Sequence, residues 1–298
     1  MGTVYLAEHL LLGKRVAIKT LLAKYSQDER LVARFVDEAR AAARIQHPGI
    51  VEIHDFGRQG DGRAFLVMEL LEGESLEERL RTVGPLPEPV LIEVVRQAAR
   101  ALEAAHTAGV VHRDLKPGNL FLVRDPTRPW GLGVKVLDFG VARLTDSTPT
   151  VRLTLSGSIV GTPTYMAPEQ CKNASNVDAR ADVYALGCLA FEMATGRPPF
   201  LGKGSATIMA AHVNTPPPLH LLDGALSAPM GAAIAAMLVK PREERLQSMT
   251  AVLGALDAAT AARNEARRDV AERPTAPMDA VVDDTLVEQT LPDPPRSA

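Results

Sequence analysis

The sequence has 298 residues, 46% of them hydrophobic, with 33 Lys and Arg against 36 Asp and Glu and a formal charge of −3. That supports one large domain, or two lobes, around a substantial core, and it excludes the strongly basic balance of a nucleic-acid binder. No apolar run reaches the roughly 18–20 residues that span a bilayer, and the N-terminus lacks the basic-then-apolar order of a secretory signal. A cytoplasmic, reducing setting is expected, in which Cys171 and Cys188 are free thiols rather than a disulfide.

In chain order, residues 3–7 and 15–19 are short β-branched stretches joined through Gly13, the pattern of a hairpin. A helix is expected over 28–45, with Leu31, Phe35, Ala39, Ala42 and Ala43 as its apolar stripe and His47-Pro48-Gly49 as its stop. Strands are expected around 50–56 and 64–70, with a turn at Gln59-Gly60-Asp61-Gly62 between them. The period then becomes helical: Leu91, Val94, Val95, Ala98, Leu102 and Ala105 share one face, and Gly109 ends the run. Short strands flank Trp130-Gly131, and a helix over 181–194 stops at Gly196 ahead of Pro198-Pro199. Alanine-rich helical segments, including a buried one over 231–239, continue to about 262. Strands first and helices later predict an α+β fold with a small sheet lobe and a large helical lobe. Residues 263–298 turn polar, charged and proline-containing, a composition that predicts a disordered tail.

The strongest chemical signal is His112-Arg113-Asp114-Leu115-Lys116-Pro117-Gly118-Asn119. An Asp and an Asn five positions apart, on a loop after a long helix, can face one metal-phosphate site, the Asp accepting a hydroxyl proton and the Asn ligating a cation. Val16-Ala17-Ile18-Lys19 precedes this stretch, and Asp138-Phe139-Gly140 and Ala167-Pro168-Glu169 follow it. Together these motifs resemble the protein kinases, specifically the bacterial serine/threonine kinases related to the eukaryotic ones. The resemblance implies a two-lobed kinase domain over 1–262, with a small lobe over about 1–70 and a helical lobe over about 71–262. It further implies ATP and magnesium as cofactors, and protein Ser and Thr hydroxyls as acceptors.

It also implies roles for individual residues. Lys19 would neutralise the ATP α/β-phosphates, held by Glu38 of the facing helix, and Asn119 and Asp138 would ligate magnesium through oxygen. Asp114 would accept or orient the proton of the acceptor hydroxyl, and Lys116 would reach the γ-phosphate. Thr162 would bond Asp114 and Lys116, and with Lys116 it marks serine/threonine rather than tyrosine specificity. Gly2, Val4, Ala17 and Phe121 would enclose the nucleotide. Met68 would stand at the gatekeeper position, and the Glu69 carbonyl and Leu71 N–H would bond the adenine. Arg113 and Arg143 would bind a phosphate on the intervening loop, with Thr154 and Ser156 as the candidate acceptors. Glu169 and Arg245 would form a buried ion pair, Asp182 would support the catalytic-loop backbone, and His112 and Phe139 would be core residues. Gly118 offers no side chain to read a basic substrate.

Of the family's phosphate-covering loop, GxGxxGxV, only Gly2-Thr3-Val4 is present. Met1 is therefore expected to be an internal methionine of a longer loop, a misassigned start, with true truncation as the alternative. Loss of the first strand should weaken ATP binding and leave the next strand as a sheet edge. Two other classes compete: a kinase-like scaffold or pseudokinase with little turnover, and a small-molecule phosphotransferase. Retention of Lys19, Asp114 and Asp138 argues against the first, and Lys116, Thr162 and Ala167-Pro168-Glu169 argue against the second. Thr285 and Thr290 in the tail are candidates for presenting phosphothreonine to a partner.

Overall fold

The computed structural model of the chain describes residues 2–26, 28–60, 62–139, 163–172 and 177–271. β1 (Gly2–Glu8) and β2 (Arg15–Leu21) form the expected hairpin, closed by His9 N–H to Lys14 O at 2.9 Å and turned through Gly13 at φ 62°. A short α1 (Ala23–Ser26) leads into α2 (Glu29–Ala43), followed by β3 (Ile53–Arg58) and β4 (Ala64–Glu69). The antiparallel sheet runs β1-β2-β4-β3. Val4 pairs with Lys19 and Ala17 with Met68. Cross-strand partners share a face, so Val4, Ala17, Lys19 and Met68 look the same way. α2 packs on that face, where its Val32, Phe35 and Ala39 bury Leu66. β1 lies at the sheet edge with Val4, Tyr5 and Leu6 exposed.

The third strand starts later than its composition predicts. Residues 49–51 are occupied elsewhere: Val136 N–H donates to Gly49 O at 2.8 Å, and Val51 N–H donates to Val136 O at 3.1 Å. The segment thus stitches the small lobe to the large one before β3 begins.

The large lobe opens with β5 (Gly73–Ser75) and α3 (Leu76–Val83). Ser75 and Glu78 cap that helix reciprocally, each side chain bonding the other's backbone N–H. α4 (Glu88–Thr107) follows, then β6 (Leu120–Arg124) and β7 (Leu132–Val136), which join β5 in a three-stranded sheet ordered β5-β6-β7. α5 (Pro168–Lys172), α6 (Arg180–Thr195), α7 (Ser205–Asn214), α8 (Ala228–Met237) and α9 (Met249–Ala271) complete the lobe. Nearly every residue of α6 is buried, so this helix is apolar all round and the others pack about it. Gly196 ends it in the left-handed conformation at φ 75°. α9 runs past residue 262, the expected domain boundary, to Ala271. Arginine, glutamate and alanine, all good helix formers, make up most of residues 263–271.

One ion pair fastens the end of the lobe. Arg245, fully buried, uses all five guanidinium N–H donors. Two go to the Glu169 carboxylate at 2.8 and 3.0 Å, and the others reach the carbonyls of Val239, Arg180 and Lys240. Its face lies 5.0 Å from the Tyr184 ring. The expected Glu169–Arg245 pair is therefore formed, and Cys171 and Cys188 are free thiols. Removing one partner strands a buried charge. Glu169→Ala and Arg245→Ala should each lower stability by about 3–5 kcal/mol in urea unfolding.

Candidate active site

The loop after α4 is held by a single carboxylate. Asp182, on α6, is 1% exposed. Its Oδ2 accepts the His112 N–H at 2.8 Å and lies 2.7 Å from His106 Nε2, while Oδ1 accepts the Arg113 N–H at 2.8 Å. Burial pushes its carboxyl up, but the His106 hydrogen bond, the His112 and His106 rings and the Arg113 N–H together hold it below 3.8. Arg113 needs this grip, because its φ of 64° is a left-handed conformation that side chains rarely adopt.

The loop is then tied to the segment carrying Asp138. His112 donates from Nε2 to Leu137 O at 2.9 Å and accepts the Asp114 N–H at Nδ1, and Leu137 N–H donates to Asn119 O at 2.9 Å. The His112 ring packs 5.0 Å from that of Phe139, and both residues are fully buried. Asn119 donates through Nδ2 to Asp114 O at 2.8 Å. That bond assigns its amide orientation and turns Oδ1 away from Asp114 O. Lys116 Nζ stands 3.1 Å from Asp114 Oδ2. Asp138 is also left-handed, at φ 52°, and its Oδ1 is 2.5 Å from Lys19 Nζ across the cleft.

Asp114, Lys116, Asn119, Asp138 and Lys19, from three separate sequence motifs, thus form one bonded constellation. Lys19 meets Asp138 in the structure. Glu38 lies on α2, and its side chain is outside the described residues, as are Arg143, Thr154, Ser156 and Thr162. Ala17 is buried at the base of the cleft and Phe121 sits on β6 beneath it, whereas Val4 is 57% exposed. At Gly2 a Cβ would come within 2.3 Å of Thr20 O, so backbone approaches backbone closely there. Glu69 and Leu71 follow Met68 at the end of β4.

Three contributions carry no motif. Gln97, buried on α4, donates to Leu132 O and accepts the Val134 N–H, both at 3.0 Å, holding the strand that leads to Asp138. Lys135 on the same strand pairs with Glu69 Oε1 at 2.5 Å, and that oxygen also accepts the Glu52 N–H at 2.8 Å. Gln170 bonds Ala167 N–H and Arg113 O, linking the segment before α5 to the catalytic loop.

The donor set suits a hard cation. Asn119 Oδ1 and the Asp138 carboxylate offer oxygen donors, and no cluster of three or more His, Cys, Asp or Glu occurs among the described residues. A cation held here would take its remaining ligands from phosphate and water, the magnesium pattern.

The fold is that of a two-lobed phosphotransferase, and comparison makes the assignment specific: the chain belongs to the protein kinase domain family, whose pattern matches residues 1–254. It is 45% identical over 263 residues to the serine/threonine-protein kinase Pkn1 of Myxococcus xanthus, covering 88% of this chain and 37% of that protein. To PknA of Mycobacterium tuberculosis it is 41% identical over 222 residues, covering 73% of this chain and 49% of PknA. The chain therefore spans half or less of the length of these two relatives. The solved kinase domain of Mycobacterium tuberculosis PknI superposes with a TM-score of 0.62 at 26% identity, covering 87% of this chain and 91% of that one. No described helix is long and apolar enough to cross a membrane.

A carboxylate whose folded pKa is depressed stabilises above its unfolded value and loses that contribution as pH falls through the folded one. Asp182→Asn should therefore cost about 3 kcal/mol at pH 7. The gap between native and variant urea midpoints should narrow at pH 3, below the ordinary value of 3.8.

Proposed function

We propose that this chain is an ATP-dependent serine/threonine protein kinase, transferring the ATP γ-phosphoryl group to protein Ser and Thr hydroxyls. The observation that carries this reading is the constellation in which Asn119 holds the Asp114 carbonyl while Lys116 and Lys19 pair with Asp114 and Asp138. Transfer passes through a loose transition state, so the protein's work is positioning and charge neutralisation. Asp114 orients the acceptor hydroxyl and takes its proton. Lys116, beside it, meets the γ-phosphate, and Lys19 meets the α/β-phosphates. Asn119 and Asp138 would hold magnesium, which would supply charge neutralisation on the phosphate oxygens. Val4, Ala17, Met68 and Phe121 enclose the base, and the backbone of Glu69 and Leu71 reads it.

Regulation by phosphorylation is part of the same reading. Arg113 donates through Nη2 to Val177 O at 3.0 Å, while its buried Nε finds no hydrogen-bond partner among the described residues. Burial pulls its guanidinium pKa down against the pull of Asp182. A half-buried cation of this kind suits a phosphate on Thr154 or Ser156, shared with Arg143. Dependence on ATP supports a cytoplasmic site of action. Phosphothreonine at Thr285 or Thr290 as a partner's ligand rests on the sequence of the tail.

The test is Mg-ATP phosphorylation of the chain itself and of a generic protein acceptor. Asp114→Asn should lower the rate by about 10²–10⁴-fold. Equal signal from both proteins would contradict the assignment.

A further inference from the structure

α7 is fastened to the lobe in an unusual way: its single fully buried side chain is a histidine, His212. A Leu would bury apolar area without direction, whereas this imidazole has both nitrogens engaged. Nε2 lies 3.0 Å from Thr164 O, and Nδ1 lies 3.0 Å from the Tyr184 hydroxyl on α6. A carbonyl can only accept, so Nε2 carries the proton. Burial holds the ring pKa down at about 4, so the imidazole is neutral and Nδ1 accepts from the tyrosine. The rings of Tyr184 and Phe200 pack on it edge-on at 5.6 and 4.8 Å. From the other side Lys240 donates to the carbonyls of Ala211 and His212 and lies over the Phe200 ring, anchoring the C-terminal end of α7.

Thr164 belongs to the turn Pro163–Tyr165, which enters the Ala167-Pro168-Glu169 segment. That segment reaches the catalytic loop at its far end, where Gln170 donates to Arg113 O at 2.9 Å, one peptide from Asp114. Its near end is held by His212. The stretch from Thr164 to Gln170 is thus held at its ends by these two bonds and within by Tyr165 O–H to Glu192 on α6 and by Glu169 to Arg245, and the Thr164 bond ties it to α7.

We infer that His212 is a positioning residue for the protein acceptor: its Nε2–H bond to Thr164 O sets the 163–167 segment relative to Asp114. The inference rests on the kinase reading. It places the effect on the acceptor side of the site, since the segment reaches the catalytic loop at the Arg113 carbonyl, beside Asp114.

Two polar variants isolate the bond. In His212→Gln the amide nitrogen reaches the Nε2 position and can still donate to Thr164 O. In His212→Asn it reaches only the Nδ1 position, leaving that carbonyl unbonded. Steady-state phosphorylation of casein by the native chain and both variants should show kcat/KM for casein reduced about 10-fold in His212→Asn and restored to within about 3-fold by His212→Gln. KM for ATP should be unchanged in both. Equal values for the two variants, or a parallel rise in KM for ATP, would overturn the inference while leaving the kinase reading intact. A native chain that transfers no phosphate to casein or to itself would overturn both. Thermal melts of each variant accompany the kinetics. A His212→Asn protein with native casein kinetics and a lowered Tm would show a structural role only and overturn the inference.

Discussion

The site depends on one buried carboxylate. Asp182 sits on α6, the helix around which the large lobe is packed, and accepts the consecutive backbone N–H groups of His112 and Arg113. Arg113, the second of them, is left-handed at φ 64°, which turns the chain just after this pair of bonds and before Asp114. Its left-handed backbone costs about 1–2 kcal/mol, and hydrogen bonds to an ionised acceptor offset it. Every other functional side chain is placed relative to that turn. Asp114 is the next residue, Asn119 bonds its carbonyl, and His112 carries the geometry across to Leu137 and so to Asp138.

The two lobes meet through backbone, charge and an apolar contact in which Ala42, Ile45 and Ile50 join the core of the large lobe. Residues 49–51 pair with Val136, Glu69 pairs with Lys135, and Lys19 reaches Asp138. All three contacts converge on β7 or the residues just after it. The strand that leads to Asp138 is therefore also the strand on which the small lobe rests, and Gln97 fixes it from the α4 side. Nucleotide-side and acceptor-side groups share the catalytic loop but are braced from different directions.

Much of this was legible in the residues alone. The motif order predicted the family, and period changes located β1, β2, α2, α4 and α6, because each has a local pattern and a glycine or proline stop. Glu169–Arg245 and Asp182 were legible only through the family resemblance. What escaped were polar side chains serving distant backbone. Gln97 looks like an interruption of an apolar stripe, Lys135 like a strand residue with no assigned role, and His212 like a polar residue on an alanine-rich helix. Each acquires its partner only when the tertiary fold brings a carbonyl or carboxylate to it. The late start of β3 has the same origin, since residues 49–51 are claimed by Val136 in a sheet far along the chain. The helix continues beyond residue 262 because arginine, glutamate and alanine carry helix propensity that a polar composition conceals.

The central claim is that Asp182 holds the catalytic loop in its working shape before any nucleotide arrives. Amide hydrogen exchange of His112 and Arg113 in the nucleotide-free protein tests it most directly. The account predicts that both amides exchange as slowly as those of α6, opening only with global unfolding. Exchange of either amide at the rate of an exposed loop would contradict it.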